Sequence, residues 1–566
     1  MLLKGYDSYR VKIKTNQRID VSVSKGRAVV SSVSRWGTEF AVDILKEGGN
    51  AFDAAFALAF GLALFHPQAG NIGGGGYLVY YKQGWESPRA IDYREKAPLS
   101  IDINRYFNSK GEIDPEKTSY GTLSICTPGT VKAFYNLHST YGKLSSEKIL
   151  KKLSELAKKG YPLTHYQVEC LNRLSPKLST FPESKEIYVK KTGKYKEGDI
   201  FKNEHLAHTF EIIAEKGEGI FYHGEIAQAI SDEIRKSSGF LSYLDLKNYE
   251  VKEVEPISCE INGHKIWTIP PEGGGAVLIN LLNILDNDRF YNIKIDSVDY
   301  YHAFSQSSKA AFINRQGYMG DISLDRNEFY RRIFDKVYWK EAVDRFRDRD
   351  IPTSEMANML GYSLEADTIK EGDNTTHFSV IDKDGNAVSN SYTLNLRYGS
   401  KYSVKGYGFL LNGSIDAFSF KPGIVNYFGV MGNKANLIAP GKRPASSMSP
   451  VIITDTKGVT AILGTPGGPT IPTTLANIIF PYVTGQVNSY EALIKRGRFH
   501  HQAWPDTLFL EKGLFTKDMV DSLKQIGYNI KFKDEPIGDV HAIFRDKDRY
   551  IGIGDYRREG LTLSLD

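Results

Sequence analysis

The chain has 566 residues, of which 41% are hydrophobic and 25% are charged, a composition typical of a soluble globular protein. Its 72 Lys and Arg residues nearly balance its 67 Asp and Glu residues, so the net charge is only +5. This balance gives no indication of a nucleic acid or an anionic membrane as a partner. A chain of this length exceeds one ordinary domain and can bury a large core.

The cysteine spacing and the apolar runs exclude several further classes of protein. Cys126, Cys170 and Cys259 are far apart and form no CxxC or Cys/His cluster, so the sequence predicts no metal site, no disulfide framework and no cofactor. The N-terminal segment has no apolar h-region. The longest apolar run, 54–65, is shorter than the roughly 20 residues that span a bilayer. We therefore expect a cytoplasmic protein.

The first predicted elements are a buried strand at 28–34 and a helix from Thr38 to Glu47, which a Gly-Gly pair ends. Asn50 is expected to cap a second, strongly apolar helix, with Asp53 at its positive end. The run NIGGGGYLVYY (71–81) predicts a glycine turn that enters a strand. It lacks the Lys-Ser/Thr pair of a phosphate-binding loop, so we assign it a structural role.

The pattern changes in the second half of the chain. Residues 140–250 alternate amphipathic helical patches with polar loops, and 296–318 predict another helix. From Thr376 onward the order is strand, turn, strand, with Asp384-Gly385 as the hairpin turn. Two further strands, VIITD and VTAILG, follow. The pattern alone indicates a mixed α and β chain that is rich in sheet after residue 375.

Five segments together resemble the gamma-glutamyltransferase family, in the family's order and at about its spacing. They are GGNAFDAAFA with NIGGGGYLVYY, IDYREKAP, DNTTHFSVIDKDGNAVSNSYTLN, GKRPASSMSP and GTPGG. Weaker matches are ICTPGT, LKNYEV and FINRQGYMGD. The resemblance covers roughly residues 28 to 560. It implies an α+β fold, the four-layer αββα sandwich of N-terminal-nucleophile hydrolases.

The resemblance also implies that the chain is a precursor, or zymogen, that cuts itself between Asn374 and Thr375. Residues 1–374 would form a large subunit and residues 375–566 a small catalytic subunit. A threonine hydroxyl needs a base to act as a nucleophile. The freed α-amino group has a reference pKa of about 7.7–8.0, which suits that task. Because the amine supplies the base, we interpret the nearby His377 as structural.

Further catalytic groups are implied by the same resemblance. The family's match to Thr393 hydrogen-bonds the nucleophile and assists self-cleavage. Its matches to Gly467 and Gly468 form the oxyanion hole, in which backbone N–H groups stabilise the negative charge of the intermediate. Glycine permits the backbone to approach a substrate closely at such a site.

The substrate's α-carboxylate is expected to bind Arg94, Ser446 and Ser447, which match the family's carboxylate clamp. A guanidinium can donate two parallel hydrogen bonds to a carboxylate. Asn395 matches an asparagine that contacts the amino-acid head of the substrate. The expected partner is a small amide such as glutathione or a related carboxylate-bearing amide.

At the expected binding site for the substrate's amine, the sequence differs from the family's pattern. In LLNGSIDAF (410–418), Ser414 replaces a Gln or Glu, and Ala417 replaces the Asp that pairs with the α-ammonium. Asp416 is one position away and is expected to point elsewhere, although it or Ser414 could still serve the amine. In the lid loop, Phe428 stands beside Tyr427 where many relatives have Tyr.

These residues are compatible with three functions. The first is a gamma-glutamyltransferase or glutathione hydrolase, which passes the acyl group to water or an amine. The second is an amidohydrolase for acyl groups that have a carboxylate but no α-amine, of the oxamate or glutaryl type. The third is a non-catalytic scaffold. The retention of Thr375, Thr393, Gly467, Gly468 and Arg94 argues against the scaffold.

Overall fold

Two seven-stranded antiparallel sheets form the centre of the chain in this computed structural model, which describes residues 20–318, 320, 326–346, 348–362, 374–421 and 434–566. The first sheet has the order Leu561–Leu565, Ala28–Ser32, Thr376–Ile381, Ala387–Thr393, Gly75–Tyr81, Arg89–Asp92 and Lys252–Val254. The second has the order Ser22–Gly26, Arg549–Gly554, His541–Asp546, Gly458–Gly464, Val451–Asp455, His264–Thr268 and Ile257–Ile261.

Alternate side chains of the first sheet enter two different hydrophobic cores, because successive residues of a strand point to opposite faces. Tyr77 and Val79 belong to the core that the two sheets share, whereas Leu78 and Tyr80 pack against helices on the other face. Other helices pack against the outer face of the second sheet. This arrangement confirms the expected four-layer α+β sandwich.

The helices outside the first sheet come mainly from the first half of the chain. Their bounds are Arg35–Lys46, Ala51–Phe65, Thr130–Tyr141, Ser146–Lys159, His165–Leu178, Pro182–Tyr188, Glu204–Lys216, Gly219–Tyr222, Glu225–Lys236 and Tyr243–Lys247. The helix Ala51–Phe65 is buried along its whole length. Asn50 and Asp53 form a capping box at its start, which satisfies backbone N–H groups that a helix leaves unpaired. The expected Asn50 cap is confirmed.

The helices outside the second sheet come mainly from the middle of the chain. Their bounds are Gly275–Leu285, Asp288–Tyr291, Val298–Tyr318, Arg326–Phe334, Lys336–Val343, Thr353–Met359, Thr470–Val483, Tyr490–Lys495 and Lys517–Ile526. None of the helices within the described ranges combines the length and the apolar character needed to cross a membrane.

Short elements complete the fold. They are the helix Pro115–Ser119, the 3-10 helices Ile103–Tyr106, Thr122–Ser124 and Ser414–Ala417, a small sheet of Phe499–His500, Leu508–Glu511 and Ile530–Lys533, and the pair Tyr161–Pro162 and Ile200–Phe201.

The first strand and the first helix meet at a different point from the one that the sequence predicts. The helix expected from Thr38 begins three residues earlier, at Arg35, because the side chain of Ser34 accepts a hydrogen bond from the backbone N–H of Gly37 and so caps the helix there. The strand before it consequently ends at Ser32.

The hairpin predicted after residue 375 is confirmed, and its register positions the site. Strands Thr376–Ile381 and Ala387–Thr393 pair so that Thr376 lies opposite Tyr392. The open end of this hairpin therefore brings the residue before Thr376 close to Thr393.

Candidate active site

A cavity of about 60 Å³ lies at the open end of the hairpin, and Thr375 is part of its wall. Thr375 immediately precedes a central strand of the first sheet and is 6% exposed. The lining residues come from the first sheet, from the helices Val298–Tyr318 and Thr470–Val483, from the 3-10 helix Ser414–Ala417 and from connecting segments. They are Arg94, Arg315, Thr375, Thr393, Asn395, Ala417, Ser419, Asn436, Ala445, Ser446, Ser447, Met448, Gly468, Pro469 and Ile471.

The peptide bond between Asn374 and Thr375 is held from two directions. The hydroxyl of Thr393 donates a hydrogen bond of 2.6 Å to the carbonyl oxygen of Asn374. The side-chain amide of Asn374 donates to the carbonyl oxygen of Gln68, also at 2.6 Å. The family resemblance implied a bond from Thr393 to the nucleophile. In the continuous chain the Thr393 hydroxyl instead polarises the carbonyl group of Asn374, the residue before the nucleophile.

Thr393 is itself oriented by the next turn of the chain. Its hydroxyl oxygen accepts a hydrogen bond of 2.8 Å from the backbone N–H of Asn395. Asn395 has φ +72, a left-handed conformation that asparagine adopts more readily than most residues. Its side-chain amide donates to the carbonyl oxygen of Gly413. The turn thus places both Thr393 and Asn395 at the cavity.

The glycine pair lies beside the cavity at the start of the helix Thr470–Val483. Gly467 and Gly468 have φ +134 and +55, and a Cβ at Gly467 would meet the hydroxyl of Thr470 at 2.4 Å. A side chain is therefore excluded at Gly467. The position is favourable for an anion, because it lies at the positive end of the helix dipole. Gly468 is part of the cavity wall, and Gly467 is not among the described lining residues.

Arg94 is 1% exposed and forms a buried ion pair with Glu95, with 2.6 Å between Nη1 and Oε2. Glu95 also accepts a hydrogen bond of 2.7 Å from the hydroxyl of Ser414. Among the described residues, Nε of Arg94 is buried without a hydrogen-bond partner. Buried donors are normally satisfied, so the Nε donor of Arg94 remains available to a further acceptor.

Ser446, Ser447 and Met448 form another part of the cavity wall. The backbone N–H of Ser446 donates to the carbonyl oxygen of Glu272, and its hydroxyl accepts from the N–H of Met448 at 3.2 Å. Gly274 packs directly on the backbone of Ser447, since a Cβ there would lie 2.1 Å from the Ser447 carbonyl oxygen. This close backbone packing fixes the serine pair against the start of the helix Gly275–Leu285.

Two residues expected at the substrate's amine do not line the cavity. Ser414 donates to Glu95, as described above, and Asp416 accepts a hydrogen bond of 3.2 Å from the hydroxyl of Thr118. Both belong to a 3-10 helix, in which three residues complete a turn, and only Ala417 of this helix reaches the cavity wall. The lid residues Tyr427 and Phe428 lie outside the described residues.

His377 is fully buried between two hydroxyl groups. Its Nδ1 lies 2.8 Å from Oγ of Ser391 and its Nε2 lies 3.0 Å from Oγ of Ser379. Burial in this desolvated position lowers the pKa of His377 well below its usual range. The ring is therefore neutral and supports the sheet, which agrees with its interpretation as structural.

Arg315 is a residue of the cavity wall for which the sequence predicted no role. It lies near the end of the helix Val298–Tyr318. In the sequence it falls within FINRQGYMGD, one of the weaker matches to the family. Desolvation lowers the pKa of Arg315 to about 10, so it stays positively charged at neutral pH. Among the described lining residues, the charged side chains are Arg94 and Arg315.

The sequence profile of the gamma-glutamyltranspeptidase family matches residues 37–565. The glutathione hydrolase proenzyme of Escherichia coli K12 is 35% identical over 528 residues, which cover 92% of this chain and 89% of that protein. Its counterpart from Pseudomonas aeruginosa PAO1 is 35% identical over 540 residues, 94% of each chain. Cephalosporin acylase from Bacillus halodurans shares the fold, with a TM-score of 0.82, 24% identity and 98% of both chains covered. Helicobacter pylori gamma-glutamyltranspeptidase matches 60% of this chain and 96% of its own, with a TM-score of 0.54 and 30% identity.

Proposed function

Because the chain belongs to the gamma-glutamyltranspeptidase family, and is an amidohydrolase of that family, we propose that it activates itself by cleavage before Thr375 and then forms an acyl-enzyme on that threonine. The observation that carries the proposal is the 2.6 Å hydrogen bond from the Thr393 hydroxyl to the Asn374 carbonyl oxygen, beside a cavity that also contains Thr375.

The proposed self-cleavage has two steps, and the geometry at Asn374 supports the first. The Thr375 hydroxyl oxygen attacks the Asn374 carbonyl carbon, and the C–N bond breaks as the amine takes up a proton, which leaves an ester. This step frees the α-amino group of Thr375. Water then hydrolyses the ester, which releases the carboxylate of Asn374 and restores the hydroxyl of Thr375. Negative charge develops on the Asn374 oxygen during the attack, and the Thr393 hydroxyl is already placed to stabilise it. The products are the subunits 1–374 and 375–566.

The mature site would then act on an external amide. The free amine of Thr375 takes the proton of its own hydroxyl, and the hydroxyl oxygen attacks the substrate carbonyl. The oxyanion lies at the helix start beside Gly467 and Gly468, and the proton passes to the leaving amine. Water, or an acceptor amine, releases the acyl group from Thr375. Arg94, Ser446 and Ser447 hold the substrate carboxylate during these steps.

A specific observation favours the acyl group without an α-amine over the gamma-glutamyl group of glutathione. Ala417 occupies the cavity wall at the position where the family has a carboxylate for the ammonium. Asp416 is turned to Thr118 instead. A buried ammonium that finds no compensating partner is costly. Glutathione-type amides remain the first comparison substrates, since the curated relatives are named glutathione hydrolases.

A panel assay of the self-cleaved protein tests the proposed function. We expect matched gamma-glutamyl, glutaryl and oxamate-type amides to be hydrolysed at different rates, each through an acyl-enzyme on Thr375. In acid-quenched reactions, mass spectrometry should find the acyl group on the fragment 375–566. A single uncleaved species near 63.5 kDa with no amide hydrolysis would instead support the non-catalytic scaffold.

Replacement of Thr393 by valine tests its part in self-cleavage. Valine keeps the shape but removes the hydroxyl that donates to Asn374, and loss of one oxyanion donor typically costs roughly 10²–10³ in rate. We expect Thr393→Val to slow the conversion of precursor by about that factor, followed on gels after rapid purification. Thr393→Ser restores the donor and should recover most of the rate. Conversion of the valine variant at the wild-type rate would exclude this role.

A further inference from the structure

We propose that two threonine hydroxyl groups fix the direction of the backbone N–H groups that form the oxyanion site. Thr465 orients the N–H of Gly467. In the next peptide unit, Thr470 orients the N–H of Gly468. The inference rests on the proposed function, because these N–H groups act only when an acyl group reacts at Thr375. It gives a positioning role to two side chains that the mechanism above does not use.

Each of the two peptide units has its carbonyl oxygen bound by a threonine. The Thr465 hydroxyl donates a hydrogen bond of 2.9 Å to the carbonyl oxygen of Pro466. The Thr470 hydroxyl donates one of 2.9 Å to the carbonyl oxygen of Gly467. A trans peptide unit is planar, so its N–H points in the direction opposite to its C=O. Binding of the two carbonyl groups therefore also fixes the N–H groups of Gly467 and Gly468.

The two N–H groups are available to a further acceptor. Among the backbone hydrogen bonds that the described residues form outside helices and strands, none has the N–H of Gly467 or Gly468 as its donor. Gly468 is part of the cavity wall, and both glycines precede the helix Thr470–Val483, whose positive end favours an anion. The developing negative charge on a substrate oxygen is such an acceptor.

The backbone alone leaves the first peptide unit free to rotate. Gly467 has φ +134 and no side chain to restrict it, and the ring of Pro466 restricts only its own φ. The Thr465 hydroxyl supplies the missing restraint. It is itself held in place, because its oxygen accepts a hydrogen bond of 2.8 Å from the backbone N–H of Asp539. Thr465 is fully buried, so water does not replace this hydroxyl.

The two peptide units differ in the number of donors that bind their carbonyl oxygen. The carbonyl oxygen of Gly467 also accepts a hydrogen bond of 3.2 Å from the backbone N–H of Thr470, and this donor is independent of the side chain. Within the described part of the chain, the carbonyl oxygen of Pro466 accepts only from the Thr465 hydroxyl. Loss of the Thr465 hydroxyl should therefore disturb the oxyanion site more than loss of the Thr470 hydroxyl.

The test measures kcat and KM of the self-cleaved full chain with the best substrate of the amide panel. We expect Thr465→Val to lower kcat by roughly tenfold to a hundredfold, less than the roughly 10²–10³ that follows loss of an oxyanion donor, because the N–H is still present. KM should change little, since the carboxylate clamp is intact. Thr465→Ser restores the hydroxyl and should recover most of kcat. Thr470→Val should lower kcat by a smaller factor than Thr465→Val.

A matched control and an inhibitor separate orientation of the N–H groups from a loss of stability. Thr474→Val removes a buried hydroxyl of the same helix that has no hydrogen-bond partner among the described residues, and it should keep the wild-type kcat. In 4-boronobutanoic acid, the Thr375 hydroxyl oxygen adds to boron, its proton passes to the α-amino group, and a negatively charged tetrahedral adduct forms. We expect Thr465→Val to raise the Ki of this boronate by about the factor lost in kcat, and to leave the calorimetric Kd of glutarate unchanged.

The outcomes separate this inference from the proposed function. If the chain neither cleaves itself nor hydrolyses any amide of the panel, the proposed function fails. If Thr465→Val cleaves itself but keeps the wild-type kcat, or loses kcat while it binds the boronate as tightly as the wild type, the inference is wrong. Should the valine variant not fold, Thr465→Ala removes the same hydroxyl without placing a methyl group there, and the same two results decide.

Discussion

Thr375→Ala is expected to yield one uncleaved chain without amide hydrolase activity. The substitution removes the hydroxyl that attacks Asn374, and without cleavage the α-amino group of residue 375 stays within a peptide bond and cannot act as a base. Loss of a nucleophile typically lowers kcat by roughly 10⁴–10⁶. The residual rate should therefore lie near background even though Arg94 and the serine pair remain in place.

Intact-mass measurement and N-terminal sequencing check this result. The wild type should give two associated fragments, and the smaller one should begin TTHFSV. Thr376→Val is a matched control on the neighbouring threonine, whose hydroxyl is buried without a hydrogen-bond partner among the described residues. This control should still be cleaved before Thr375. A different fragment start, or cleavage in Thr375→Ala, would contradict the assignment of the nucleophile.

The sequence predicted the elements that carry local signals. The Asn50 cap, the Asp384-Gly385 hairpin and the strand after the glycine run are each determined by residues within a few positions. The sequence also indicated which residues meet at the cavity, since Arg94, Thr393, Asn395, the serine pair and Gly468 all line it. The family motifs, rather than periodicity, supplied that information, because these residues are brought together from distant parts of the chain.

The features that the sequence did not predict depend on rotation about an element's axis. Asp416 and Ala417 are adjacent, and on a 3-10 helix one position turns a side chain by about a third of a turn. Asp416 therefore meets Thr118, and Ala417 meets the cavity. Arg315 was missed for a related reason. The helix Val298–Tyr318 has no strong amphipathic pattern in its sequence, so the sequence could not indicate which of its side chains face the cavity.

Ala417→Asp is expected to move the preference of the enzyme toward gamma-glutamyl substrates, mainly through a lower KM for them. An aspartate at this position would replace the one described wall residue of the 3-10 helix and would face the cavity directly. Its carboxylate would lie near two arginines, which favour the ionised form. Attraction between that carboxylate and a substrate ammonium 4 Å away is roughly 4 kcal/mol at an effective dielectric of 20, before desolvation costs.

The same substitution should weaken the binding of glutaryl substrates, because the new carboxylate competes with the substrate carboxylate for the positive charge of the wall. The ratio of kcat/KM for matched gamma-glutamyl and glutaryl anilides measures both effects at once, and we expect it to rise by roughly tenfold to a hundredfold. Ala417→Asn is the matched control, with the same size and no charge, and should leave the ratio near that of the wild type. If the wild type already prefers the gamma-glutamyl anilide by about a hundredfold, which corresponds to roughly 2.7 kcal/mol, another group holds the ammonium and the cavity accepts glutathione-type substrates as it stands.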